Sequence, residues 1–156
     1  MQFINYFFAS AISFSGLLAG LMLVRIAPEE QKPLEKYFII IRKILLALIF
    51  IFPVPFYFYS SYIYFGALLA YFAFLIFIEY RMEDLFKKSI VIYSLLGILF
   101  FLSSKNTNLI VIESSLIFLY GLPAASLAYG KKKKNHYRII SCNIGFLIIA
   151  NLLFFT

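Results

Sequence analysis

Glu113 is the one ionisable side chain that falls well inside an apolar stretch of this sequence, about 6 Å from the near end of that stretch at helical rise. A lone acid at such a depth is costly to hold charged, and intramembrane acids are functional candidates by default. Asn5 and Asn151 fall at a similar depth in two other stretches, so Glu113, Asn151 and Asn5 form a candidate intramembrane polar site, suited to proton coupling or cation binding. The competing reading has Glu113 reach up to the nearby interface beside Lys105. A second candidate lies at the opposite ends of the apolar stretches. Glu79 closes one, while Arg42 and Lys43 open another, which suits an ion pair that anchors two helices at the interface while the long basic stems snorkel to water.

Other chemistry is missing. Intramembrane hydrolases and headgroup transferases need convergent acids, bases or metal ligands. This chain offers Asp84, His136 and Cys142 as the single residue of each kind, with no acid pair inside an apolar stretch and no His/Cys/Asp cluster at metal-ligand spacing. No phosphate-binding loop motif is present. The reading is non-enzymatic, with no cofactor and no metal. Cys142 has no partner for an intrachain disulfide.

The elements that must position these residues follow from composition. Of 156 residues, 63% are apolar and only 13% charged, against about 45–50% and about 25% in soluble domains. Twenty Phe and twelve Tyr beside seven acids leave too little polar surface for a water-soluble globule and too many aromatics for a disordered chain. An all-α, polytopic transmembrane helical bundle remains. A bilayer core of about 30 Å takes roughly 20 apolar residues as a helix, and six stretches qualify: 3–26, 37–59, 62–80, 88–104, 109–129 and 138–155. Runs such as Ile44–Phe52 are apolar on every face, unlike the alternating strands of a barrel. No charge separates Lys43 from Glu79, so Pro53-Val-Pro55 and Ser60-Ser61 place the break between the second and third stretches; a re-entrant pair is the rival. Tyr57, Tyr59, Tyr62 and Tyr64 flank that break as interfacial rings do.

The basic residues give the expected orientation. Arg25, Lys32, Lys36, Arg42 and Lys43 surround the first connection, Arg81, Lys87 and Lys88 the third, and Lys131–Lys134 with Arg138 the fifth, which is 13 of 14 on alternate connections. The positive-inside rule then puts both termini outside and those connections in the cytoplasm, with a plasma membrane as the default. The first residues lack the basic head of a secretory signal. Lys131, Lys132, Lys133 and Lys134 could contact anionic headgroups or act only as a topology determinant; four lysines held against a bilayer do not suggest nucleic acid. His136 beside them reads as solvated.

Small residues at Ala9, Ser13, Gly16 and Gly20 line one face of the first helix, and Gly16–Gly20 is a GxxxG pair, suited to packing within the bundle or between copies. Gly121, Ala125 and Ala128 repeat the pattern in the fifth. Pro123 kinks that helix, with Tyr120 or Ser126 expected to satisfy the freed carbonyl. Prolines late in the second and fifth stretches are the feature that interrupted helices show in inverted-repeat transporters. Pro28-Glu29-Glu30 should open a short helix that Pro33 stops. Two functions fit: a small transporter or channel-like protein with Glu113 on its path, or a non-catalytic subunit or assembly factor that binds other membrane proteins. The partners expected are the lipid bilayer and a second copy or another membrane protein.

Overall fold

The computed structural model describes residues 2–58, 62–130 and 136–155. All its elements are helices: α1 (Phe3–Ile26), a 3-10 turn (Pro28–Glu30), α2 (Gln31–Ile51), α3 (Pro53–Phe58), α4 (Tyr62–Arg81), α5 (Leu85–Ser103), α6 (Thr107–Gly130), α7 (His136–Asn143) and α8 (Gly145–Phe154). Among the described residues, five spans are long and apolar enough to cross a membrane: Phe3–Ile26, Pro33–Phe58, Leu85–Ser103, Thr107–Tyr129 and His136–Phe154. They match five of the six stretches read from the sequence, and α4, of 20 residues, occupies the remaining one. The chain is a helical integral membrane protein.

The order of helix directions follows from which residues meet. A Cβ added at Gly16 would strike Phe118, and one at Gly20 would strike Leu122, so residue numbers rise together and α1 runs parallel to α6. Ser89 meets Asn143 and Gly97 meets Ile149, so α5 runs parallel to the α7–α8 rod. Tyr6 meets Ala150 and Phe14 stacks near Phe146, which makes α1 and α8 antiparallel. Arg42 meets Glu79 and Phe50 meets Phe72, which makes α2 and α4 antiparallel. Six crossings of alternating sense satisfy all four relations, and they gather the ends carrying Arg25, Arg42, Arg81, Lys88 and Arg138 at one end of the bundle.

Local sequence explains most helix ends. Asp84 caps α5 by accepting from the Phe86 amide at 3.0 Å, and Asn106 caps α6 by accepting from Asn108 at 3.0 Å and Leu109 at 3.2 Å. Inside the helices, Ser13, Ser94, Ser103, Ser115 and Ser126 donate to the carbonyl four residues back, which satisfies a hydroxyl where lipid offers no partner. Two proline expectations need correction. Pro33 lies in the first turn of α2 and stops nothing, because a first-turn residue needs no amide partner. Ser126 donates to the Leu122 carbonyl and the Tyr120 hydroxyl has no partner among the described residues, so neither satisfies the Leu119 carbonyl that Pro123 frees. The second span runs through Pro53 and Pro55 to Phe58, close to the end expected at residue 59; the Ser60-Ser61 turn lies outside the described residues.

The core sits where α1, α5, α6 and α8 converge, around Tyr6, Leu17, Tyr93, Leu96, Phe100, Ile117, Tyr120 and Phe146. Ile4, Phe8, Met22, Ile44, Phe77 and Leu152 point outward, as lipid-facing side chains must.

Candidate functional site

Glu113 stands in the second turn of α6, roughly 9 Å from its start. It is completely buried, and neither carboxyl oxygen has a hydrogen-bond partner among the described residues. The reading that lets it reach the interface beside Lys105 does not hold. The next residue, Ser114, turns to α1, where its hydroxyl meets Ser13 Oγ at 3.0 Å and donates to the Ala9 carbonyl at 3.3 Å. One helical step thus separates a satisfied polar seam from an unsatisfied acid.

Asn151 joins the α1 seam. Its Nδ2 donates to Ser10 Oγ at 3.2 Å and to the Leu147 carbonyl at 2.8 Å, while its buried Oδ1 has no partner among the described residues. Asn5 lies exposed on α1, facing away from the bundle, so the three-residue cluster expected from depth alone is not assembled. Depth was legible in the sequence; the angular position around each helix was not.

The second candidate is richer than expected. Arg42 Nη2 donates to Glu79 Oε1 at 2.5 Å, and Lys88 Nζ lies 3.5 Å from the same oxygen while donating to the Glu79 backbone carbonyl at 2.6 Å. All three side chains are more than nine-tenths buried. Lys43, the alternative partner of Glu79, instead stands over the Tyr80 ring at 5.8 Å. The sequence reads Lys88 as the junction of the third connection and the fourth stretch; α5 in fact starts at Leu85, which puts Lys88 inside the first turn and aims it at α4. A sharper reading of Asp84 as a helix cap would have revealed this. One carboxylate between two cations leaves a net positive charge, and Glu79 Oε2 and Arg42 Nε have no partners among the described residues.

Two tyrosines pair in the core between α5 and α6. Tyr120 lies seven residues after Glu113 on the same face of α6, and Tyr93 on α5 brings its ring centroid within 5.8 Å of the Tyr120 ring. Both are fully buried, and neither hydroxyl has a partner among the described residues. The Tyr93 hydroxyl lies against the Gly121 backbone, where an added Cβ would come within 2.9 Å of it.

The glycine pair of α1 is occupied inside the chain. Gly16 and Gly20 lie against the backbone of α6, and a Cβ at either would meet a carbonyl oxygen at 1.9 or 2.6 Å. That face is therefore unavailable to a second copy. His136, read as solvated, is half-buried with its ring 4.7 Å from that of Tyr129. Lys131–Lys134 lie outside the described residues. An apolar cavity of about 200 Å³ between α3, α4 and α5 is lined by Tyr57, Ala67, Leu68, Tyr71 and Leu102. Its two tyrosine hydroxyls donate to the Leu102 and Leu95 carbonyls, which leaves no free polar group to hold an ion there. Among the described residues, no group of three His, Cys, Asp or Glu could hold a metal.

In comparisons with known proteins, no family model, curated protein or solved structure matches the chain.

Proposed function

We propose that the protein is a small transporter or channel-like protein for a proton or small cation, with Glu113 as the group that takes up and releases it. The observation that carries this reading is the isolation of Glu113: a carboxyl with no surface and no partner for either oxygen. A fixed structural role would have given it a basic or amide partner, as Glu79 has been given. An unpaired charge in an apolar interior is expensive, and an arriving cation or proton relieves that cost. Pro123, ten residues further along the same helix, removes one helical hydrogen bond to the Leu119 carbonyl, the kind of interruption that helices of transport paths carry. The reading is non-enzymatic and needs no cofactor. The basic end of the bundle faces the cytoplasm by the positive-inside rule, with both termini outside a plasma membrane.

The experiment is ion flux in proteoliposomes, comparing the natural protein with Glu113→Gln, which keeps shape and removes the ionisable proton. Flux of protons, sodium or rubidium should appear with the natural protein and fall by roughly tenfold or more in the variant. Equal flux in both would end the transport reading. A stoichiometric membrane-protein partner, co-purifying from native membranes, would then favour the subunit role.

A further inference from the structure

Buried charges are tolerated when they balance, and the Arg42–Glu79–Lys88 cluster does not balance. Arg42 and Lys88 share the Glu79 carboxylate, with all three side chains more than nine-tenths buried, so a positive charge is left over. Donors are in surplus as well. A guanidinium and an ammonium together carry many N–H groups. Among the described residues they meet only Glu79 Oε1 and the Glu79 backbone carbonyl, and Arg42 Nε has no acceptor. Glu79 Oε2 lacks a donor in the same way. What completes such a cluster is a ligand with a negative charge, oxygens that accept, and a hydroxyl that donates.

Depth tells where that ligand comes from. At helical rise, Arg42 stands roughly 24 Å from the Phe58 end of its span, Glu79 roughly 26 Å from Tyr62, and Lys88 roughly 23 Å from Ser103. In a hydrocarbon core of about 30 Å, the helices thus set the cluster just inside the boundary at the basic end, where long basic side chains reach lipid phosphates. Ile41 and Ile44 beside Arg42, and Phe77 and Tyr80 beside Glu79, are exposed, so lipid borders the bundle at this level. Glu79 and Lys88 keep 9% and 8% of their side-chain surface, and this edge is where the cluster opens.

We propose that this cluster binds the headgroup of a hydroxylated anionic phospholipid, with the phosphodiester on Arg42 and Lys88 and a headgroup hydroxyl donating to Glu79 Oε2. A phosphodiester anion cancels the surplus charge, and its unesterified oxygens accept charge-assisted hydrogen bonds from both cations. A zwitterionic lipid brings its own cation and leaves the surplus in place. Lys43, Arg81, Lys87 and the acid Glu83 are exposed around the same end. Exposed basic residues draw anionic lipid to the surface without choosing a headgroup. The site lies at the other end of the bundle from Glu113 and does not depend on transport.

In the test, the purified full chain in detergent is titrated with phosphatidylglycerol, phosphatidylethanolamine and phosphatidylcholine of identical acyl chains, and separately with sodium phosphate. A bound ligand raises the melting temperature by mass action, and the concentration dependence of the rise gives its affinity. Phosphatidylglycerol should bind roughly tenfold or more tightly than either zwitterionic lipid, because hydrogen bonds to charged groups are at stake. Lys88→Gln leaves the Arg42–Glu79 pair neutral and should abolish that preference, with its lipid-free melting temperature checking the fold. Lys87→Gln, at the exposed neighbour, should keep the preference. Equal affinities for the lipids in the natural protein would overturn the site without recourse to a variant. A preference that survives Lys88→Gln, or falls as far in Lys87→Gln, would overturn it too. Sodium phosphate that matches phosphatidylglycerol at equal concentration would overturn the lipid source and leave a phosphate site.

Discussion

Replacing Gly16 by alanine adds one methyl group at the tightest approach between α1 and α6. The new Cβ would stand 1.9 Å from the Phe118 carbonyl oxygen, where ordinary contact begins near 3.4 Å, and the obstacle is backbone, which cannot rotate away. The two helices must part by about 1.5 Å, and a close-packed interior loses much of its dispersion energy over such a gap. Overpacking costs about 1–3 kcal/mol, and alanine's better helix propensity returns only about 0.5–1 kcal/mol. A net loss of about 1–2 kcal/mol corresponds to roughly 2–8 °C in melting temperature for a chain of this size. The same reasoning ranks the other glycines by their nearest backbone contact. Gly121 comes next at 2.4 Å, then Gly20 at 2.6 Å and Gly97 at 2.8 Å. Gly66 has nothing within 4 Å, so Gly66→Ala should gain stability from propensity alone. Thermal unfolding in detergent, followed with a thiol-reactive dye on the half-buried Cys142, reads the whole series. A Gly16→Ala protein that melts at or above the natural one, or a Gly66→Ala protein damaged as much as Gly16→Ala, would refute the packing argument.

Arg42→Met should destabilise the bundle by about 3–5 kcal/mol, because it leaves Glu79 buried beside Lys88 alone, and the double variant with Glu79→Met should melt well above it. Asn143→Leu removes the acceptor for Ser89 Oγ and the donor to the Ile139 carbonyl, so the α5–α7 contact should weaken by about 1–3 kcal/mol in the same melting assay, unlike Asn108→Leu at an exposed site. For orientation, a cysteine placed at Lys132 in a Cys142→Ser background should react with an impermeant maleimide only after cells are opened, while a C-terminal tag should be accessible on intact cells. The reverse pattern would overturn the assignment of the basic end to the cytoplasm.

How much of the site was legible depended on what had to be known. The isolation of Glu113 in an apolar stretch and the pairing of Glu79 with Arg42 are one-dimensional facts, because depth along a helix scales with residue number. Which side of a helix faces a neighbour is not. Asn5 and Asn151 read as equivalent by depth, yet one points to the outside and the other bonds Ser10. Lys88 reads as the junction of a connection and a stretch, and its place three residues after the start of α5 turns it toward Glu79. The burial of Tyr93 against Tyr120 carried no sequence signal, since they are two among twelve tyrosines in a chain rich in aromatics.

The amino-acid order alone determined that the backbone must close its hydrogen bonds within helices, that these are long enough to span lipid, and that basic residues collect at alternate connections. Hydrocarbon offers no partner to an open amide, so composition and length suffice for those conclusions. Only the tertiary arrangement decided that Gly16 and Gly20 are spent on α6 within the chain and that the Glu113 carboxyl is buried with no partner among the described residues. Both are matters of rotation and contact between distant segments, and local propensity carries no information about either.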